Sequence, residues 1–218
     1  MNSVRRLFFV NIITLLILVG GGFLGYYYYN QSENYLKTDN AKIDGKAIPI
    51  ASPVSGKLVQ WTAANGKNYN TGDKVGEVQT QTATGQLVTA DVTVPANSTV
   101  VQSSATENTF VAAGSPLAYA FDMGNLYVTA NIKETDIDEV QKNQEVDVYV
   151  DAYPDTTLTG HVEQIGMTTA NTFSLLPSGN ATANYTKVTQ VVPVRISLDH
   201  NKSVNIVPGM NVTVRIHK

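Results

Sequence analysis

The chain has 218 residues, enough for one to two domains. Charged residues are 15%, against about 25% in a typical soluble protein, and the net charge is −3. That balance excludes an electrostatic nucleic-acid binder, and the absence of Cys excludes disulfides, thiolate metal sites, Cys nucleophiles and an acylated lipoprotein Cys. Val (27) and Thr (24) are abundant, which favours strands because β-branched side chains fit a pleated, half-buried surface.

Leu7 to Tyr29 is the one long apolar run, with no charge in 23 residues. As a helix it spans about 34 Å, enough for a hydrocarbon core of about 30 Å. Arg5 and Arg6 precede it, and the next Lys is Lys37. The positive-inside rule then predicts a cytoplasmic segment 1–6, a transmembrane helix 7–29 and an extracytoplasmic remainder, a single-pass arrangement in the cell membrane. A cleaved signal peptide is the rival reading, but its apolar region runs about 7–15 residues and ends in a small-x-small site. This run is longer and ends in Tyr26 to Tyr29. Gly21 and Gly25 form a small-xxx-small pair that either packs against another helix or reflects the frequency of Gly in such spans.

After a predicted linker and strand at 30–46, the segment 48–78 repeats at 90–120 with an offset of 42. Ile50 aligns with Val92, Pro53 with Pro95, Leu58 with Val100, Gly66 with Asn108, and Gly72 with Gly114. Pro53, Gly56, Gly72, Pro95 and Gly114 are expected at turns. Neither half can bury its apolar face alone, so the two predict a flattened, pseudo-twofold β-sandwich over 47–121. The run Ala51-Ser52-Pro53-Val54-Ser55-Gly56, followed by Gly72-Asp73-Lys74-Val75, resembles the first half of a biotinyl/lipoyl domain. Carriers of that family present a modified Lys in the turn between halves. Here no Lys occurs from 75 to 132, so the domain is a scaffold and no cofactor is implied.

From 122 to 218 alternating strands are expected at 126–132, 146–150, 158–165, 192–198 and 212–216. A short helix is predicted over 133–141 with Thr135 as its cap, Asn143 as a left-handed stop and Gly209 as the turn before the last strand. These strands suggest a small β-barrel. The fold class is therefore mainly β: an N-terminal transmembrane helix, a lipoyl-like sandwich and a barrel with one short helix.

The stretch from Val128 to Gly166 looks like the barrel of the HlyD-type membrane fusion proteins, and residues 38–59 look like the lead into their first lipoyl half. The nearest subgroup is the EmrA type, by Phe173 to Pro177, Asn180 to Gln190, Pro193 to Ile196 and Pro208-Gly209-Met210. The resemblance implies a non-enzymatic adaptor of a drug, small-molecule or peptide efflux system. Its implied partners are an integral-membrane transporter of major facilitator or ABC type, the bilayer through 7–29, and further copies of itself as a homo-oligomer. In this family a long helical hairpin separates the lipoyl halves and reaches toward an outer-membrane channel. Here only nine residues lie between Val78 and Val88, which implies a setting without such a channel.

His161, His200 and His217 show no metal spacing, and no G-x-S-x-G, H-E-x-x-H or P-loop is present. An extracytoplasmic binding or sensor module for a wall ligand or peptide is the alternative function. The polar loop 168–187 contains an apolar patch. Phe173, Leu175, Leu176 and Tyr185 there either contact a partner or plug the barrel end.

Overall fold

The computed structural model describes residues 3–82, 84–169, 189–199 and 204–218. A helix, α1 (Ser3–Asn34), leads directly into strand β1 (Tyr35–Asp44). Eight strands follow: β2 (Ala47–Ala51), β3 (Gly56–Trp61), β4 (Asn68–Tyr69), β5 (Lys74–Gln81), β6 (Leu87–Thr93), β7 (Ser98–Ser103), β8 (Phe110–Val111) and β9 (Pro116–Phe121). Then come β10 (Tyr127–Lys133), a 3₁₀ turn (Glu134–Glu139), β11 (Glu145–Val150), β12 (Thr157–Ile165), β13 (Val191–Leu198) and β14 (Asn211–His217). The chain divides into two compact units, Met1–Ala41 with Thr129–Asp199 and Asn211–Lys218, and Lys42–Val128 with His200–Met210.

In the second unit the strands form two four-stranded sheets, ordered β2-β9-β7-β4 and β6-β5-β3-β8. Exchanging the two halves, by adding 42 to the residues of the first and subtracting 42 from those of the second, converts the first order into the second. The repeat extends to individual hydrogen bonds. Gly66 N donates to Val100 O and Asn108 N to Leu58 O, both at 2.7 Å, and Gly72 N to Val94 O and Gly114 N to Ser52 O, both at 2.8 Å. The register slip of β3 on β5 at Leu58/Gln60 recurs for β7 on β9 at Val100/Gln102. Ile50, Leu58, Val75, Val78, Val92, Val100, Leu117 and Ala120 are buried in one shared core. Each half contributes four of these, so neither has a core without the other. Trp61 and Ser103, themselves 42 apart, meet through an indole Nε1 to Oγ hydrogen bond of 2.7 Å, as equivalent residues do beside a local twofold.

The alternation predicted for the strands at 126–132, 146–150, 158–165, 192–198 and 212–216 holds. The strands close as a six-stranded barrel, β1-β10-β13-β12-β11-β14, with Val128, Ala130, Ile132, Val146, Val148, Leu158, Val194, Ile196, Val214 and Ile216 buried. Closure leaves no edge strand to pair with other chains.

Two turn expectations need correction. Gly56 is not in a turn: it opens β3, where a Cβ would run into the carbonyl oxygen of Gln79, so the position needs Gly for close backbone approach. The helix expected at 133–141 is a six-residue 3₁₀ turn capped by Lys133, not Thr135. Strand β10 runs on to Lys133, and buried Val140 is already extended (φ −98°, ψ 126°), which leaves too few residues for α-helix nucleation. Thr135 Oγ1 bonds Asp136 Oδ1 at 2.6 Å instead of a backbone N–H.

Candidate functional site

Helix α1 presents apolar side chains on every side: Leu15, Leu16, Ile17 and Leu18 are consecutive and each more than 60% exposed. Four consecutive helical residues step through nearly a full turn, so no single face is the buried one. A Cβ added at Gly21 or Gly25 would meet nothing, so among the described residues nothing packs against that stripe. Among the described residues no helix is long and apolar enough to cross a membrane.

Pro53 and Pro95 lie in bends at equivalent positions of the two halves. Gly72, Gly114 and Gly209 have φ of 88°, 77° and 93°, and Asn143 has 69°, the left-handed region each type tolerates. Phe173, Leu175, Leu176 and Tyr185 lie outside the described residues.

Strands β5 and β6 pair down to Gln81 and Leu87. The intervening turn is closed by Thr82 N to Gln86 O (2.9 Å), Gly85 N to Thr82 O (2.9 Å) and Gln81 Nε2 to Gly85 O (3.0 Å). Leu87 and Val88 beside it are exposed. At the other end of β5, Lys74 pairs with Glu77 at 2.5 Å and Asp91 at 2.8 Å. Hydrogen bonds from Lys74 to Asp91, then to Glu77, raise its pKa above the ordinary 10.5.

An open groove of about 1200 Å³ lies in the unit that carries the two sheets. Ile43, Val100 and Ile206 form its buried floor, and Phe121, Met123 and Val207 part of its walls. Lys42 and Asp44 on its rim are 3.9 Å apart.

The strongest polar constellation is on the barrel. Asp147 on β11 faces Arg215 on β14 in register. Arg215 Nε and Nη2 donate to Asp147 Oδ2 at 3.0 and 2.7 Å, and His217 Nε2 lies 3.0 Å from the same oxygen. Partial burial pushes the Asp147 carboxyl up. The hydrogen bonds from Arg215 and His217, with their charges, together outweigh that and leave it below the ordinary 3.8. The bond to Asp147 also raises the pKa of Arg215. In the sequence His217 is only one of three histidines without metal spacing. Its partner is 70 residues away, and only barrel closure brings them together. His161 pairs with Asp199 at 3.1 Å. Among the described residues no three His, Asp or Glu side chains form a set that could hold a metal.

Known proteins share this scaffold. Residues 126–216 match the YknX-like beta-barrel domain. The chain is 44% identical over 211 residues to a Bacillus subtilis (strain 168) protein named as an efflux system component, YhbJ, covering 97% of this chain and 92% of that one. The chain belongs to the EmrA-type membrane fusion protein family. The colistin resistance protein EmrA of Acinetobacter baumannii is 43% identical over 93 residues, 42% of this chain but only 26% of that longer protein. The solved structure of the periplasmic adaptor protein EmrA superposes with a TM-score of 0.56 at 11% identity, covering 85% of this chain and 99% of that one, a likeness of fold. As a membrane fusion protein the chain combines the YknX-like barrel with a tight β5–β6 turn.

Proposed function

We propose that the protein is a membrane-anchored, non-catalytic adaptor that works with an integral-membrane exporter of major facilitator or ABC type. In this reading the uncharged run 7–29 of the full sequence crosses the bilayer as part of α1, with residues 1–6 in the cytoplasm, and the sandwich and barrel lie outside. The transporter supplies the energy, and the adaptor supplies binding and a guided exit path. The observation that carries the proposal is the near full-length match to an efflux system component, 92% of its length. The apolar girth of α1 supports the anchor, because so many exposed Leu, Ile and Phe side chains need a nonpolar surrounding.

The cargo class proposed is amphipathic small molecules or peptides. Proteins named for resistance to colistin and to fatty acids are among the relatives. The tight β5–β6 turn supports a setting in which no outer-membrane channel is engaged. The test is affinity purification of the detergent-solubilised full chain, with identification of what accompanies it, paired with an export assay on a deletion strain. A transporter in the pull-down and retained drug or peptide in the deletion strain are the expected results. The proposal fails if no transporter accompanies the protein and export is unchanged.

A further inference from the structure

Helix α1 ends at Asn34 and β1 begins at Tyr35, with no residue between them. A segment that only tethers a domain to an anchor is usually a flexible stretch rich in Gly and Ser. Here the junction is Glu33-Asn34-Tyr35-Leu36, and the far end of the chain closes on it. The backbone N–H of Lys218 donates to Asn34 O at 3.0 Å. The rings of Tyr35 and His217 meet edge to face, with centroids 4.9 Å apart and planes at 84°. The guanidinium carbon of Arg215 lies 4.5 Å from the Tyr35 ring centroid and 5.8 Å from that of Tyr149. Asp147 holds both Arg215 and His217. Lys218 Nζ reaches Glu139 Oε2 at 2.8 Å.

The geometry points to a clamp: Tyr35, gripped by Arg215 and His217, fixes the exit of α1 to the barrel so that helix and barrel turn as one body. Tyr35 is the first residue after the helix. Any rotation of α1 about its axis must therefore either carry the ring, and with it β14 and β11, or break the cation–π and edge contacts together. Asp147 accepts every hydrogen bond from Arg215 and His217 described above, so neither side chain is free to swing away while Asp147 is ionised. The clamp stands on side-chain geometry alone. Its use, transmitting movement of a membrane anchor to an extracytoplasmic domain, rests on the reading of α1 given above.

The chain has no native Cys, so two spin labels can be placed without background. Thr159→Cys on the outer surface of the barrel and Leu24→Cys on α1 are both exposed. The pair is labelled in the full chain in detergent micelles, and the label–label distance distribution is measured. A narrow distribution is expected for the parent and for Tyr35→Phe, which keeps the ring. It should broaden at least about twofold with Tyr35→Ala. If Tyr35→Ala does not fold, His217→Ala carries the same expectation, since it removes the edge contact and one of the ligands of Asp147. Equal widths in the parent, Tyr35→Phe and the truncating variant, or a parent already as broad as the variant, would overturn the clamp. Neither outcome bears on whether the protein takes part in export.

Discussion

Gly56 and Asn143 show two opposite reasons for an unusual residue. Gly56 has ordinary strand geometry but no room for a side chain. Replacing it with Ala forces β3 and β5 apart and should destabilise the sandwich by about 1–3 kcal/mol, read as a lower midpoint in denaturant. Asn143 has room but a left-handed φ of 69°. Asn143→Gly should be neutral to within about 0.5 kcal/mol, whereas Asn143→Val should cost about 1–3 kcal/mol from backbone strain. Asp147 adds a pH term. Its pKa is lower in the folded protein than the ordinary 3.8, so its contribution is complete above that value and is lost as pH falls through the folded value. A thermal melt of the parent should therefore fall more steeply below about pH 4 than that of Asp147→Asn, which has no proton to take up there. If the two profiles run parallel, Asp147 carries no such linkage.

The elements that could be read from the sequence are those whose logic is local or repeated. The sandwich was legible because each half carries its own apolar alternation, and because Gly66 and Asn108 occupy equivalent left-handed turns. The barrel strands were legible because one face of each is buried and the other is not. The 3₁₀ turn was misread because charge pattern and a capping residue favour a helix at 133–141, while the burial of Val140 decides otherwise. The Asp147–Arg215–His217 group had no local signal. It depends on the pairing of β11 with β14 across 68 residues, and that register is set by closure of the whole barrel. The β5–β6 turn is closed within itself, so its energetics are local. Strands β5 and β6 are held by a seven-rung ladder below the turn, so the pairing does not need a short connection. Inserting about 12 Gly/Ser residues between Thr84 and Gly85 should cost about 1 kcal/mol of loop-closure entropy. That corresponds to a fall of about 4–8 °C in melting temperature for a sandwich of under about 100 residues. A loss several times larger would mean that the turn itself nucleates the sheet.

On the scale of the whole molecule, the role of β1 separates two cuts that look alike in sequence. Strand β1 follows α1 directly but belongs to the barrel, where it completes the closed order between β14 and β10. Thr38 Oγ1 bonds Asn131 O at 3.2 Å, and Asn131 Nδ2 bonds Asn40 Oδ1 at 3.1 Å, so β1 is stitched to β10 by side chains as well. Removing residues 1–34 deletes the exposed apolar helix and leaves every barrel strand. That product should move from the membrane fraction to the soluble fraction and melt cooperatively, although it loses the Lys218 to Asn34 bond at the junction. Removing residues 1–46 takes β1 as well. It opens the barrel, exposes two strand edges on β10 and β14, and uncovers the core that Ala41 and Ile43 help to fill. The loss of two buried side chains and a full strand of pairing is comparable with the 5–15 kcal/mol that holds a typical domain. The longer truncation should therefore aggregate or be degraded while the shorter one stays monodisperse, as read by size-exclusion chromatography of the two products. If both were equally soluble and cooperative, β1 would be dispensable and the barrel would close without it. The tight junction at Tyr35 would then serve only to deliver the chain from the helix to the sandwich.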